Sequence, residues 1–113
     1  MKEETIFGKI LKGSIPCDEV YSDDKCLAFR DIDPQAPVHI LIIPRKPIVS
    51  LLEINRQDQE LLGHLLLISK KIAIKEGLKD WRTIINTGEK AGQTVFHLHI
   101  HLLGGRSLSW PPG

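Results

Sequence analysis

Apolar and polar positions along the chain follow two distinct periods, and the switches between them mark the elements. From Phe96 to Leu103 the period is two. His97, His99 and His101 fall on one face of an extended segment, and Leu98, Ile100 and Leu102 fall on the other. From near Asn55 to Gly77 the period is that of a helix. Leu61, Leu62, Leu65, Ile68, Ile72 and Ala73 form its stripe, with Asp58 and Glu60 near the end where negative charge is favoured. Just before it, Ser50-Leu51-Leu52-Glu53 has the form of a capping box and predicts one helical turn.

The remaining elements are shorter. Thr5 caps a predicted helix over Ile6–Leu11 that stops near Gly13. Strands are predicted at 19–22, 26–31 and 39–44; the first two turn at Asp23-Asp24, and Pro34 and Pro37 stiffen the connection to the third. Residues 39–43 are nearly all apolar, which suits the middle of a sheet. A fourth strand at Arg82–Asn86 leads through a loop at Thr87–Thr94 to the histidine strand. The expected fold is α+β, a five-stranded, mostly antiparallel sheet with one long helix and a short N-terminal helix. With the long helix on one face, the histidines are expected on the face it leaves uncovered, or at an edge of it.

Composition narrows the class without naming a chemistry. A chain of 113 residues suits one domain over 1–113, with 106–113 as a C-terminal tail. A net charge of +1, with no basic run beyond Lys70-Lys71, argues against nucleic acid as a partner. No apolar run is long enough for a bilayer, and Met1-Lys2-Glu3-Glu4 leads into no apolar signal region. The expectation is a cytoplasmic protein, with Cys17 and Cys26 as free, mostly buried thiols.

The chemistry concentrates in the histidine row, which holds three of the chain's five histidines. Metal ligation and nucleophilic catalysis compete for it. The outer two Cβ atoms of such a row lie roughly 13 Å apart, whereas zinc holds imidazole nitrogens at about 2.0–2.1 Å. Two alternate histidines can share one ion, but a third in the same row is poorly placed. A neutral imidazole nucleophile, flanked by rings that orient it and supply a proton, suits the spacing better. The middle position, His99, is then the nucleophile. Elsewhere the residues leave two readings open. Asp31, before a Pro-containing loop, suits a turn-forming role as well as a binding one. Gly92-Gln93-Thr94 suits a plain turn or an anion-binding nest. His64, near the edge of the helical stripe, reads as structural or exposed.

Residues 97–103 fit His-φ-His-φ-His-φ-φ, with φ apolar, at every position. With Thr5-Ile6-Phe7-Gly8-Lys9-Ile10, Asp31-Ile32, Pro34-Gln35-Ala36-Pro37, Gly92-Gln93, Gly104-Gly105-Arg106 and Trp110-Pro111-Pro112-Gly113, the chain resembles the histidine-triad (HIT) superfamily. The resemblance is to its nucleotide-binding-protein branch, the purine nucleoside phosphoramidases, and covers essentially the whole chain. It implies a hydrolase that cleaves the P–N bond of purine nucleoside 5′-phosphoramidates through a nucleotidyl-histidine intermediate, without cofactor or metal. The implied partners are AMP or GMP conjugates and a second copy of the chain, a homodimer. His99 takes the nucleotidyl group, His97 and His101 flank it, and His39 lines the same pocket. Asp31 receives the ribose hydroxyls, with Phe29 and Ile32 beside sugar and base. Asn86, Gly92, Gln93 and Thr94 surround the phosphate, and Ile6, Phe7, Ile10 and Ile15 wall the purine. Trp110 reaches towards the partner subunit's site. Thr94 stands where serine is familiar, and Arg30 where a histidine or another residue occurs. A nucleotide-binding scaffold or regulatory module with slow turnover is the alternative.

Overall fold

The computed structural model describes residues 4–113; the charged start at Met1–Glu3, read above as no signal region, lies outside the described residues. Its elements are α1 (Ile6–Leu11), β1 (Glu19–Ser22), β2 (Cys26–Arg30), β3 (Val38–Pro44), α2 (Gln59–Lys75), β4 (Trp81–Ile84) and β5 (Ile100–Gly104). The strands form one antiparallel sheet in the order β1-β2-β3-β5-β4. The α+β expectation therefore holds, and the most apolar strand, β3, sits at the centre.

Local chemistry explains the helix ends. The Thr5 hydroxyl accepts from the Gly8 N–H at 3.0 Å, and Gly13 ends α1 with φ +78°. Before α2 come two 3-10 turns, Leu51–Glu53 and Arg56–Asp58. A reciprocal capping box forms at Asn55 and Asp58, and the Ser50 hydroxyl accepts the Leu52 N–H at 3.2 Å. Asp58 is buried and meets Lys46 Nζ at 2.6 Å, which fixes this helical entry to the chain after β3. At the other end Gly77 (φ +79°) allows the Leu78 N–H to bond back to the Ala73 carbonyl at 3.0 Å.

Both faces of the sheet are covered. Ile40, Ile42, Ile100 and Leu102 pack beneath Leu65, Ile68, Ile72 and Ala73 of α2. On the opposite face Leu27, Phe29, Leu41 and Ile43 pack with Phe7 of α1. The histidines lie on the face that α2 leaves uncovered, as the sequence suggested, and the short helix α1 roofs that face. One short amphipathic helix with a large aromatic side chain is enough to bury it.

Two strand boundaries also differ from the expectation. β5 begins at Ile100, because the chain before it leaves the ladder: the Leu98 N–H donates to Ile48 O at 2.7 Å. His97 thus lies in a bend before the strand, although its inward orientation survives. β4 covers Trp81–Ile84 instead of 82–86, since its pairing with β5 runs only from Trp81↔Gly104 to Ile84↔His101. Asn86 accordingly lies in the loop after the strand.

Candidate active site

Four imidazoles meet on the roofed face. His101 packs its ring against both His99 (centroids 4.9 Å) and His39 (5.2 Å). Phe7 meets His99 edge-on at 5.0 Å and His97 at 6.3 Å. His39 arrives from β3, because its register partner is Leu103 and its side chain shares the face of His101.

The hydrogen bonds determine the tautomers. His99 Nδ1 lies 2.7 Å from the His97 carbonyl. A carbonyl only accepts, so Nδ1 carries the proton and Nε2 presents a free lone pair. His97 Nε2–H likewise donates to Pro44 O at 2.8 Å. His39 shares the tautomer of His97 and is opposite to His99: its Nδ1 accepts the Gln35 backbone N–H at 3.0 Å, so its proton is on Nε2. That proton points to His101 Nδ1 at 3.0 Å, with Asp31 Oδ2 a weaker alternative at 3.4 Å. His101 then carries its own proton on Nε2. The site therefore offers a bare nitrogen on His99 and an N–H donor on His101.

Electrostatics keep these rings neutral. Burial lowers the pKa of His97, His99 and His39, outweighing the carbonyl contacts of the first two and the Asp31 charge near His39. His101 falls furthest, to about 4, through burial first and then repulsion from His99 and His39. Neutral imidazole is what nucleophilic attack requires.

Beside the histidines opens a cavity of about 300 Å³. Ile6, Phe7, Ile10, Ile15, Phe29 and Ile32 supply its apolar wall, and Asp31, Thr94, His99 and His101 its polar lining. Most of the sequence-predicted site residues therefore converge. The turn considered for Asp31 forms, with Oδ1 accepting the Asp33 N–H at 2.8 Å; Oδ2 lies 3.4 Å from His39 Nε2, and the residue also lines the cavity. Larger surface clefts exist, at 77–82 with 105–108 and between Glu4 and His97, but neither gathers the histidine cluster.

Asn86, Gly92 and Gln93 are not among the cavity-lining residues. Gln93 is buried, its side chain bonded to the Gly88 N–H and to Val49 and Val95 carbonyls. The Gly92 and Gln93 N–H groups donate to Glu89 O and Gly88 O at 3.0 Å, so these two amides form a folded turn instead of an open nest. A Cβ on Gly92 would stand 3.5 Å from Asn86 Nδ2. These three residues shape the loop that presents Thr94. Trp110 lies far out, 80% exposed.

Gln35 and Arg106 acquire a place that sequence reasoning did not assign. Arg106 Nε and Nη2 both donate to the Gln35 carbonyl, at 3.0 and 2.9 Å. The Gly-Gly-Arg motif signalled importance, but nothing local showed its partner. His64, read as structural or exposed, is structural: its Nε2 meets Asp23 Oδ2 at 2.7 Å. Burial raises the Asp23 carboxyl, yet hydrogen bonds from Tyr21, Lys25, His64 and Cys26 prevail and hold it well below the usual range. Cys17 and Cys26 are free thiols, as expected.

Two groups bring three possible metal donors within 4.8 Å among the described residues: Asp31, His39 and His101, and Asp23, Cys26 and His64. Each is one short of the four ligands typical of structural zinc. In the first, the facing His39 and His101 nitrogens are joined to one another; in the second, Asp23 oxygens already receive Tyr21, Lys25, Cys26 and His64.

Comparison with known proteins agrees with this architecture. Residues 12–108 match the HIT domain family. A HIT-like protein of Synechococcus elongatus is 67% identical, with both chains covered in full. A 14 kDa zinc-binding protein of Zea mays is 52% identical over 96% of this chain and 88% of its own. The crystal structure of a HIT family hydrolase from Legionella pneumophila superposes with a TM-score of 0.94 at 49% identity, over 96% of this chain and 98% of that one. A histidine triad protein from Clostridium difficile gives 0.91 at 40% identity, covering 96% of each.

Proposed function

Because this chain belongs to the HIT domain family, we propose that it hydrolyses the P–N bond of purine nucleoside 5′-phosphoramidates through a nucleotidyl-His99 intermediate. The observation that carries this reading is the proton arrangement of the site. His99 Nε2 is unprotonated, and its Nδ1–H is anchored on the His97 carbonyl. That anchor becomes stronger as positive charge develops on the attacking ring.

His99 Nε2 forms a bond to phosphorus as the P–N bond breaks. The departing amine takes its proton from solvent water while His101 Nε2–H donates a hydrogen bond to the leaving nitrogen, and the water of the second step returns a proton to solvent. Water then attacks phosphorus and releases the nucleoside monophosphate, restoring His99. Two displacements replace one difficult step. Thr94 and His101 serve the phosphate oxygens, while Asn86, Gly92 and Gln93 act through the loop that holds Thr94. The apolar wall takes the purine, and Asp31 Oδ2 takes the ribose hydroxyls. On this reading residues 1–113 form one domain, 106–113 are its tail, and the protein works as a cytoplasmic homodimer on AMP or GMP conjugates.

The zinc-binding description of the maize relative raises a metal alternative. Three protein donors are the number an open zinc site uses, but the facing His39 and His101 nitrogens of the Asp31 group are hydrogen-bonded to one another, and no step is assigned to a metal. A scaffold role would use the same cavity with little turnover. Incubation with a fluorogenic adenosine 5′-phosphoramidate separates the readings. Steady product release in wild type, abolished in His99→Asn with AMP binding retained, is expected. Substantial turnover by the variant overturns His99 as nucleophile, and a wild type that binds AMP without turnover supports the scaffold.

A further inference from the structure

We propose that Arg106 is a positioning residue that fixes the proton of the His39–His101 pair from outside the cavity. This rests on the reading of His101 as the donor above, but its first consequence concerns a tautomer and is independent of turnover.

The connection runs through one residue of the loop between β2 and β3. Arg106 grips the Gln35 carbonyl with two N–H groups. The Gln35 N–H in turn occupies His39 Nδ1 at 3.0 Å. A ring nitrogen that accepts cannot carry a proton, so His39 is held as the Nε2–H tautomer. Its proton enters the 3.0 Å contact with His101 Nδ1, and His101 keeps its own proton on Nε2. Reversing His39 reverses the pair: Nε2 becomes the acceptor, His101 Nδ1 becomes the donor, and His101 Nε2 loses its proton. The donor proposed for the departing amine would then be absent.

The neighbouring glycines set the grip. Gly105 has φ +93°, and a Cβ there would stand 2.9 Å from the Pro37 ring. A side chain at Gly105 is therefore both strained and obstructed by a rigid neighbour. The bare backbone lets the tail turn closely over Pro37, bringing Arg106 to Gln35 in the same loop. Gly104 plays a related part at the end of β5, where a Cβ would meet Leu78 at 2.6 Å. The Gly-Gly-Arg motif is thus two close approaches followed by one clamp.

The test compares wild type with Arg106→Ala and Arg106→Lys, the latter keeping charge and a donor but losing the fork. Ring 15N chemical shifts of His39 and His101 near pH 7, where both are neutral, report the tautomers directly. Wild type is expected to show Nε2–H for both. Arg106→Ala should mix the tautomers and lower kcat for the fluorogenic adenosine 5′-phosphoramidate about tenfold, the scale of partial loss of acid–base assistance, with little change in the AMP Kd. Arg106→Lys should recover part of both signals. Unchanged histidine shifts in a folded Arg106→Ala overturn the inference whatever the activity. Altered shifts with unchanged kcat in an active enzyme also overturn it, because the pair would then have no bearing on the reaction. If Arg106→Ala does not fold, Arg106→Lys supplies the decision by the same shifts. If wild type has no phosphoramidase activity, the substrate assignment fails while the tautomer result still decides the positioning role.

Discussion

At the scale of single residues, Asp31 combines a structural contact with a place in the cavity lining, which is where the proposed ribose recognition is to be tested. Oδ1 is committed to the Asp33 N–H, which holds the carboxylate in place, and Oδ2 is left on the cavity side near His39. A pre-positioned acceptor discriminates more sharply than an apolar wall, because a missing hydroxyl leaves it under-paired. Apolar contact with Ile6, Phe7 and Ile10 distinguishes two purines by only about 1–3 kcal/mol. Wild type is therefore expected to accept adenosine and guanosine phosphoramidates with similar kcat/KM but to favour ribose clearly over 2′-deoxyribose. Asp31→Ala should flatten the sugar preference. Equal use of both sugars by wild type removes the ribose role of Asp31.

At the scale of elements, α1 and β4 carry the consequences. The roof provided by α1 is six residues long, yet Phe7 touches two of the triad rings and contributes to the cavity wall. At the opposite end of the sheet, β4 is an edge strand with Trp81 36% exposed. On α2, Leu66, Leu67 and Ile74 are also exposed, an apolar surface on a helix whose inner face is already packed. Exposed edge strands and apolar patches are usual sites of association. The expected outcome of sedimentation equilibrium is a mass twice the 12.7 kDa of one chain. Leu67→Glu combined with Trp81→Glu should shift the mass towards one chain. A wild-type monomer at all concentrations would falsify the homodimer.

At the scale of the whole molecule, the buried imidazoles link stability to pH. All four clustered histidines are displaced below their ordinary 6.5, with burial the leading cause. Unfolding frees each ring to take up a proton at a pH where the folded protein refuses it. Between the folded and ordinary pKa values the unfolded chain binds more protons, so stability rises with pH. The contribution is present above pH 6.5 and is lost as pH falls. For His101 alone, displacement to about 4 corresponds to about 3 kcal/mol by the acid end of that window. The urea midpoint should therefore decline between pH 6.5 and 4, less steeply in His101→Asn. A midpoint independent of pH across that window removes the burial argument.

Much of this protein is written in local pattern. The alternation at 97–101 carried both the shared orientation of the histidines and the choice of His99, and the stripe from Leu61 to Ala73 carried α2. Thr5 and Gly13 marked α1 because capping depends on a few adjacent residues. The end of β4 and the start of β5 were not legible, since a strand ends where its neighbour's ladder ends, and Ile48 lies about fifty residues from Leu98 in the chain. Nor was the roof over the histidines, because amphipathicity shows that α1 has an apolar face but not which sheet surface receives it. Gln93 had the composition of a phosphate loop, and only its buried contacts revealed a structural staple. The sequence alone determined the elements, the sheet's central strand and the catalytic candidate, all set by periodicity and side-chain type. The tertiary structure decided the tautomers of the imidazoles, which depend on whether each nitrogen faces a carbonyl or an amide from a distant segment.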